Sequence, residues 1–149
     1  MELSSTRQLK ELFDRYKFQP RRERGQNFLV NNKILEFILK TAAVGPEDWV
    51  LEVGAGAGVL TQALAERAKG VLSVEIDTDL TRILAKTVGP YKNVRLFKGD
   101  VLSSEFYQEI EKWKKKNEIE KFKIVANIPY QITSFFLRNF LPRQDLQAV

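Results

Sequence analysis

The sequence predicts an α/β fold with a parallel, doubly wound sheet. Three observations carry that reading. Short runs rich in Val, Ile and Leu recur along the chain, and each is followed by a segment with helical apolar spacing. Turn residues separate the two kinds of segment. Cysteine is absent, so no disulfide scaffold competes with an ordinary packed core.

The elements follow in order. In "STRQLKELFDRY", Leu9, Leu12, Phe13 and Tyr16 share one face of a helix, with Ser and Thr available to cap it. "QPRRERGQNFL" breaks the pattern with Pro20 and Gly25 and reads as a loop. "NNKILEFILKTAA" is a second helix capped by Asn31 or Asn32. Four strand and helix pairs come next. Strand 49–53 precedes the helix "AGVLTQALAERA", and strand 71–76 precedes "DLTRILAKTV". Strand 94–97 precedes "SEFYQEIEKWKKK", and strand 122–126 precedes "TSFFLRNFL". Right-handed βαβ units join such strands in parallel. Sheets of this kind have five to seven strands as a rule, so the sheet is expected to be cut after the fourth strand and its helix. That cut would leave an unpaired edge, and self-association through 122–126 or 132–141 is expected from it.

Composition narrows the chemistry. With neither Cys nor His, thiol nucleophiles, thiolate metal sites and the usual general base are excluded. Lys and Arg number 24 against 19 Asp and Glu, a net +5 that suits a polyanionic partner. No apolar run approaches the ~20 residues of a membrane span, and no signal peptide is visible. A cytoplasmic protein without membrane contact is expected. The first 24 residues form a basic helix and arm. Within it Arg21, Arg22 and Arg24 are candidates for phosphate contact, or for a solvated arm. "KWKKK" at 112–116 reads mainly as a solvated helix end with Trp113 turned inward.

Three motifs fall at the carboxyl ends of successive strands, where open α/β sheets bind ligands. "EVGAGAG" puts Gly54, Gly56 and Gly58 at a strand-to-helix turn, where backbone N–H groups can meet a ligand. The spacing is not the dinucleotide fingerprint, because Val59 stands where its last glycine would be, and Glu52 is no part of that fingerprint. A tight turn without ligand is the plainer alternative. Glu75, 21 residues after Gly54, stands where an acid accepts both hydroxyls of a ribose. Asp77 or Thr78 is the better helix cap. Asp100 either accepts from an adenine amine or caps the helix at 103. Together these describe an adenosyl ligand. No Walker lysine supports ATP, and the missing glycine disfavours a pyrophosphate. S-adenosylmethionine fits.

The fourth strand then delivers "NIPYQITS" (127–134). The exocyclic amine of a base is a weak nucleophile because its lone pair is delocalised. The Asn127 amide oxygen and a backbone carbonyl near Pro129 can accept both N–H bonds and aim the lone pair at a methyl donor. Pro129 stiffens the backbone, and Tyr130 offers a face for an extruded base. An Asn-Pro turn with a core tyrosine is the alternative.

The ordered set "GQNFL" (25–29), "VLEVGAGAGVLT" (50–61), "VEID" (74–77), "GDVL" (99–102) and "NIPYQITS" resembles the KsgA/Dim family of small-subunit ribosomal RNA adenine N6,N6-dimethyltransferases. It spans the chain from Arg24 to about Leu141. The resemblance implies a Rossmann-like class I methyltransferase fold over 25–149. It implies methyl transfer from S-adenosylmethionine to N6 of adenines in small-subunit rRNA, during ribosome biogenesis. Asn27 and Leu29 should touch the cofactor, as should Gly54, Gly56, Glu75, Asp100 and Asn127. Asn127, Pro129 and Tyr130 should serve catalysis. The family has Gly-Pro-Gly where this chain has Gly54-Ala55-Gly56. It also continues into further strands and a helical domain, so the chain is expected to be a cofactor-binding fragment with impaired activity, acting on rRNA or a pre-small-subunit particle. Erm enzymes of the large-subunit rRNA and mitochondrial transcription factor B proteins share the scaffold. A non-catalytic RNA-binding assembly factor and a nicotinamide-dependent oxidoreductase are the competing functions.

Overall fold

A parallel sheet of four strands organises the chain, with helices on both faces. The structure is a computed structural model that describes residues 6–20, 31–128 and 130–147, with 130–132 described by backbone only. Arg21, Arg22, Arg24, Asn27, Leu29 and Pro129 lie outside the described residues. The elements are α1 (Thr6–Arg15), α2 (Asn32–Ala42), β1 (Trp49–Val53), α3 (Val59–Ala65), β2 (Gly70–Glu75), α4 (Thr78–Thr87), β3 (Val94–Lys98), α5 (Ser104–Asn117), β4 (Lys123–Ala126) and α6 (Tyr130–Phe140). The strand order is β3-β2-β1-β4, all pairs parallel. β1 is therefore flanked by β2 on one side and β4 on the other. The order reverses there, and ligand crevices open at such points.

Strand alternation sorts the side chains. Leu51 and Val53 of β1, with Leu72 and Val74 of β2, face α5 and α6. They pack there against Phe106, Ile110, Trp113, Phe136 and Phe140. Val50 and Val71 face the other way, against Leu39 of α2 and Leu60 and Leu64 of α3. α4 and its C-cap cover the same side through Leu84 and Val88. Strands buried on both faces explain the near-continuous apolar runs.

α1 is too short to stand alone in water. Leu9, Leu12 and Phe13 bury its inner face against Ala57, Leu80 and Ile83. At roughly 1.5–3 kcal/mol for each large side chain buried, that docking sustains it. Tyr16 does not join this face as expected. The helix ends at Arg15, and Lys17 turns the chain at φ 52°. Tyr16 is left exposed, and Phe18 closes the cluster instead. α2 is capped by Asn31, whose side chain accepts the Lys33 N–H.

The expected edge at β4 is present, since β4 pairs with β1 alone among the described residues, and it is bridged at one point just before the strand. The Phe122 N–H donates to the Asp145 carbonyl at 3.0 Å, and Gln147 donates back to Phe122 at 2.8 Å, an isolated parallel bridge between Phe122 and Leu146. Asp145 is held by Arg143 at 2.7 Å and by Lys114. Lys114 is thus ion-paired and not part of a solvated helix end, whereas Trp113 is buried as expected. Burial opposes ionisation of Asp145, but hydrogen bonds from Arg143 and Lys114 outweigh it and hold the carboxyl at about 2. At the opposite end of the sheet from the glycine turn, the buried Lys123 ammonium donates to the Ala43 carbonyl (2.8 Å) and to Asp48 (2.9 Å). Asp48 also accepts the Gly45 N–H.

Candidate functional site

The carboxyl ends of β1, β2 and β4 meet at the glycine turn. Its backbone is left-handed at Gly54, Gly56 and Gly58, with φ 78°, 59° and 95°. A β-carbon at Gly54 would sit 3.1 Å from the Asn127 carbonyl oxygen and 3.3 Å from the Ile128 side chain. Glycine here lets the turn press against the segment leaving β4. The Gly54 and Ala55 N–H groups both donate to the Val74 carbonyl, at 3.0 and 3.1 Å, which draws the turn toward β2. Gly54 and Asn127, chosen from separate motifs, are thereby neighbours.

Glu75 ties the next link. Its Oε2 accepts the Gly56 N–H at 2.8 Å, and its Oε1 accepts the Asp77 N–H at 2.9 Å. The Gly56 amide thus orients the carboxylate. Each carboxylate oxygen carries two lone pairs, so both can still accept a hydroxyl from a ligand. Glu75 is buried, and that burial raises its pKa against the lowering pull of the Asp77, Gly56 and Ile76 backbone N–H groups. Hydroxyl donors would favour its charged form. Asp77 caps α4 by accepting the Asp79 and Leu80 N–H groups.

Asp100 stands at the end of the β3 segment and is exposed. Its Oδ1 accepts the Leu102 N–H at 2.9 Å, a local turn. It does not cap α5. Ser103 does, accepting the Phe106 N–H. Asn127 is exposed just past β4. Tyr130 opens α6, so "NIPY" is a strand end running directly into a helix.

Two contributors escaped the sequence reading. Glu52 had been set aside as foreign to a nucleotide fingerprint. It is fully enclosed, facing α3 from the residue before the last of β1. Its Oε2 accepts the hydroxyls of Thr61 and Ser73, each at 2.6 Å, while Oε1 has no partner among the described residues. Burial pushes its pKa from 4.5 up to about 7, with the nearby Glu75 charge adding to the rise. A carboxylate amid "WVLEV" was the available signal, since a buried strand does not carry one without cause. Ile76 is the second. It stands 65 % exposed between Glu75 and Asp77, a large apolar side chain open to solvent.

The comparisons agree with this fold. Residues 17–148 match the family described as ribosomal RNA adenine dimethylase. A curated relative, the ribosomal RNA small subunit methyltransferase A of Alkaliphilus oremlandii, is 41% identical over 93% of this chain and 47% of its own length. The chain spans about half the length of the curated relatives it matches. Among solved structures, the 23S rRNA methyltransferase ErmE is 34% identical with a TM-score of 0.68, covering 81% of this chain and 45% of that one. A dimethyladenosine transferase from Plasmodium falciparum is 30% identical with a TM-score of 0.65, covering 80% and 40%. The chain belongs to the ribosomal RNA adenine dimethylase family.

Proposed function

We propose that this chain is the cofactor-binding half of an S-adenosylmethionine-dependent rRNA adenine N6-dimethyltransferase that acts on small-subunit rRNA in ribosome biogenesis. The carrying observation is the link between Gly56 and Glu75 beside the Gly54–Asn127 contact, which joins three of the motifs in one crevice. The residues fit the cofactor. Glu75 offers open lone pairs to ribose hydroxyls, and Ile76 offers an apolar face to adenine. Gly54, Gly56, Glu75, Asp100 and Asn127 hold the cofactor in this reading, with Asn27 and Leu29 closing over it.

When bound, S-adenosylmethionine supplies an electrophilic methyl group. Asn127 and the backbone carbonyl near Pro129 accept the two N–H bonds of the adenine amine and direct its lone pair. Tyr130 stacks on the base. Arg21, Arg22 and Arg24 contact phosphates of the rRNA or of the pre-small-subunit particle. The basic arm is 1–24 and the methyltransferase domain 25–149. No helix among the described residues is long and apolar enough to cross a membrane. In this reading the protein acts in the cytoplasm, where its rRNA substrate is. Exposed Phe135, Leu137 and Leu141 support self-association along the β4–α6 side, which sedimentation would test.

Likeness to ErmE favours a second target, an adenine of large-subunit rRNA. The curated relatives named for the small subunit favour the first. Titration calorimetry with S-adenosylhomocysteine tests the cofactor reading. Saturable binding that Glu75→Ala abolishes supports it, and binding of NAD instead overturns it. Methyl transfer from labelled cofactor to unmethylated small or large subunits, using the parent protein, decides the substrate.

A further inference from the structure

One buried polar chain runs from α3 through α4 to the glycine turn, and its members outside that turn, Gln62 and Thr87, belong to none of the functional motifs. The Thr87 side chain, at the last residue of α4, is 1 % exposed. Its hydroxyl lies 2.8 Å from the Ala57 carbonyl and 3.0 Å from that of Leu84. The backbone carbonyl of Thr87 accepts from the Gln62 side-chain amide of α3 at 2.8 Å. The contact is close: a β-carbon at Gly58 would come within 2.7 Å of the Thr87 hydroxyl oxygen.

The peptide unit joining Ala57 to Gly58 is therefore held at both ends. Its carbonyl faces the Thr87 hydroxyl, and its N–H donates to the Ala55 carbonyl at 3.0 Å. A glycine-rich turn otherwise samples many backbone states, because three of its residues carry no β-carbon. Without an anchor, a ligand would have to order it on binding, and that ordering lowers affinity. α4 is well placed to anchor it. The same helix starts at the Asp77 cap, two residues after Glu75.

We infer that Thr87 is a positioning residue for cofactor binding, its hydroxyl holding the glycine turn in the shape the cofactor requires and Gln62 holding Thr87 in turn. This rests on the S-adenosylmethionine reading above.

The test uses the chain, with S-adenosylhomocysteine as the probe in titration calorimetry. Thr87→Val keeps the volume and removes the hydroxyl. Thr87→Ser keeps the hydroxyl and removes a methyl. The inference expects the Val variant to bind roughly fivefold to tenfold more weakly, as befits one lost buried hydrogen bond, and the Ser variant to stay within about twofold of the parent. A packing role alone would reverse that order. If Val does not fold, Thr87→Ala replaces it, since Ala and Ser both shrink the side chain and differ in the hydroxyl. An unmodified chain that binds while Val matches it, or while Ser is as weak as Val or Ala, overturns the inference and leaves the cofactor reading standing. An unmodified chain that does not bind overturns the cofactor reading, and the inference with it.

Discussion

Glu52→Gln should gain stability relative to the unmodified protein as pH rises from mildly acidic to alkaline. The Glu52 carboxyl titrates near its ordinary 4.5 in the unfolded chain and at about 7 when folded. The folded state thus binds more protons than the unfolded state between those values. Stability from this group is complete below pH 4.5 and is lost as pH rises to 7. The 2.5-unit gap between 4.5 and 7 corresponds to about 3 kcal/mol. Gln keeps an oxygen to accept from Thr61 and Ser73 and cannot ionise. Its amide replaces an oxygen that already lacks a partner, a penalty that does not vary with pH. Urea denaturation of both proteins at pH 5 and pH 8, followed by circular dichroism, isolates the effect. The stability difference should move by about 2–3 kcal/mol in favour of Gln across that interval. A difference that stays constant, or moves toward Glu, refutes the claim that the site favours a neutral carboxyl.

Other outcomes follow from the same structure. Gly54→Ala forces a side chain into a left-handed turn and against the Asn127 carbonyl. It should cost about 1–2 kcal/mol of stability by thermal melting and weaken S-adenosylhomocysteine binding more than melting alone accounts for. Glu75→Gln leaves one backbone N–H of Gly56 or Asp77 without its acceptor and should weaken that binding about tenfold or more by calorimetry. Lys123→Ala strands Asp48 and the Ala43 carbonyl, and should destabilise by about 2–4 kcal/mol in urea. Lys123→Met, which fills the same space, should cost less when paired with Asp48→Asn. Burial works to raise the Asp48 pKa, but the Lys123 hydrogen bond, with that from Gly45, brings it below the usual value. Stability from this pair is therefore present above the ordinary 3.8 and falls as pH drops through that lowered value, and Lys123→Ala should remove that acid sensitivity.

The strands and their order of appearance were legible because each is a compact apolar run ended by turn residues. β1 at 49–53 agrees to the residue, β2 slides by one residue at both ends, and β3 and β4 each differ by one residue at one end. Helix limits were less legible. α3 stops at Ala65, well before "AERA" ends, and α6 starts at Tyr130, inside the motif read as a strand end. Glu75 and Gly54 stood out as candidates because an acid and a glycine fall at the ends of successive strands. Their joining through Gly56 was not legible, because it depends on β2 lying beside β1. Thr87 and Gln62 were invisible for the same reason. Thr87 meets Ala57 across 30 residues of chain, and nothing in "LAKTV" marks that hydroxyl as facing a glycine turn. Asp100 and Ser103 illustrate a local ambiguity. Two capping-competent residues stand three apart, and only the backbone direction decides which one reaches the Phe106 N–H.

The two tryptophans of the chain sit together at the far end of the sheet. Trp49 begins β1, and its ring meets that of Trp113 edge-on with centroids 5.7 Å apart, while Trp113 also meets Phe122. The length of β1, roughly 13 Å, separates Trp49 from the glycine turn. The natural fluorophores therefore watch the floor of the molecule and not its mouth. Tryptophan emission will follow the unfolding of the sheet and stay silent when a nucleoside enters the crevice, so a spectral change on adding one would signal movement carried through the whole length of β1.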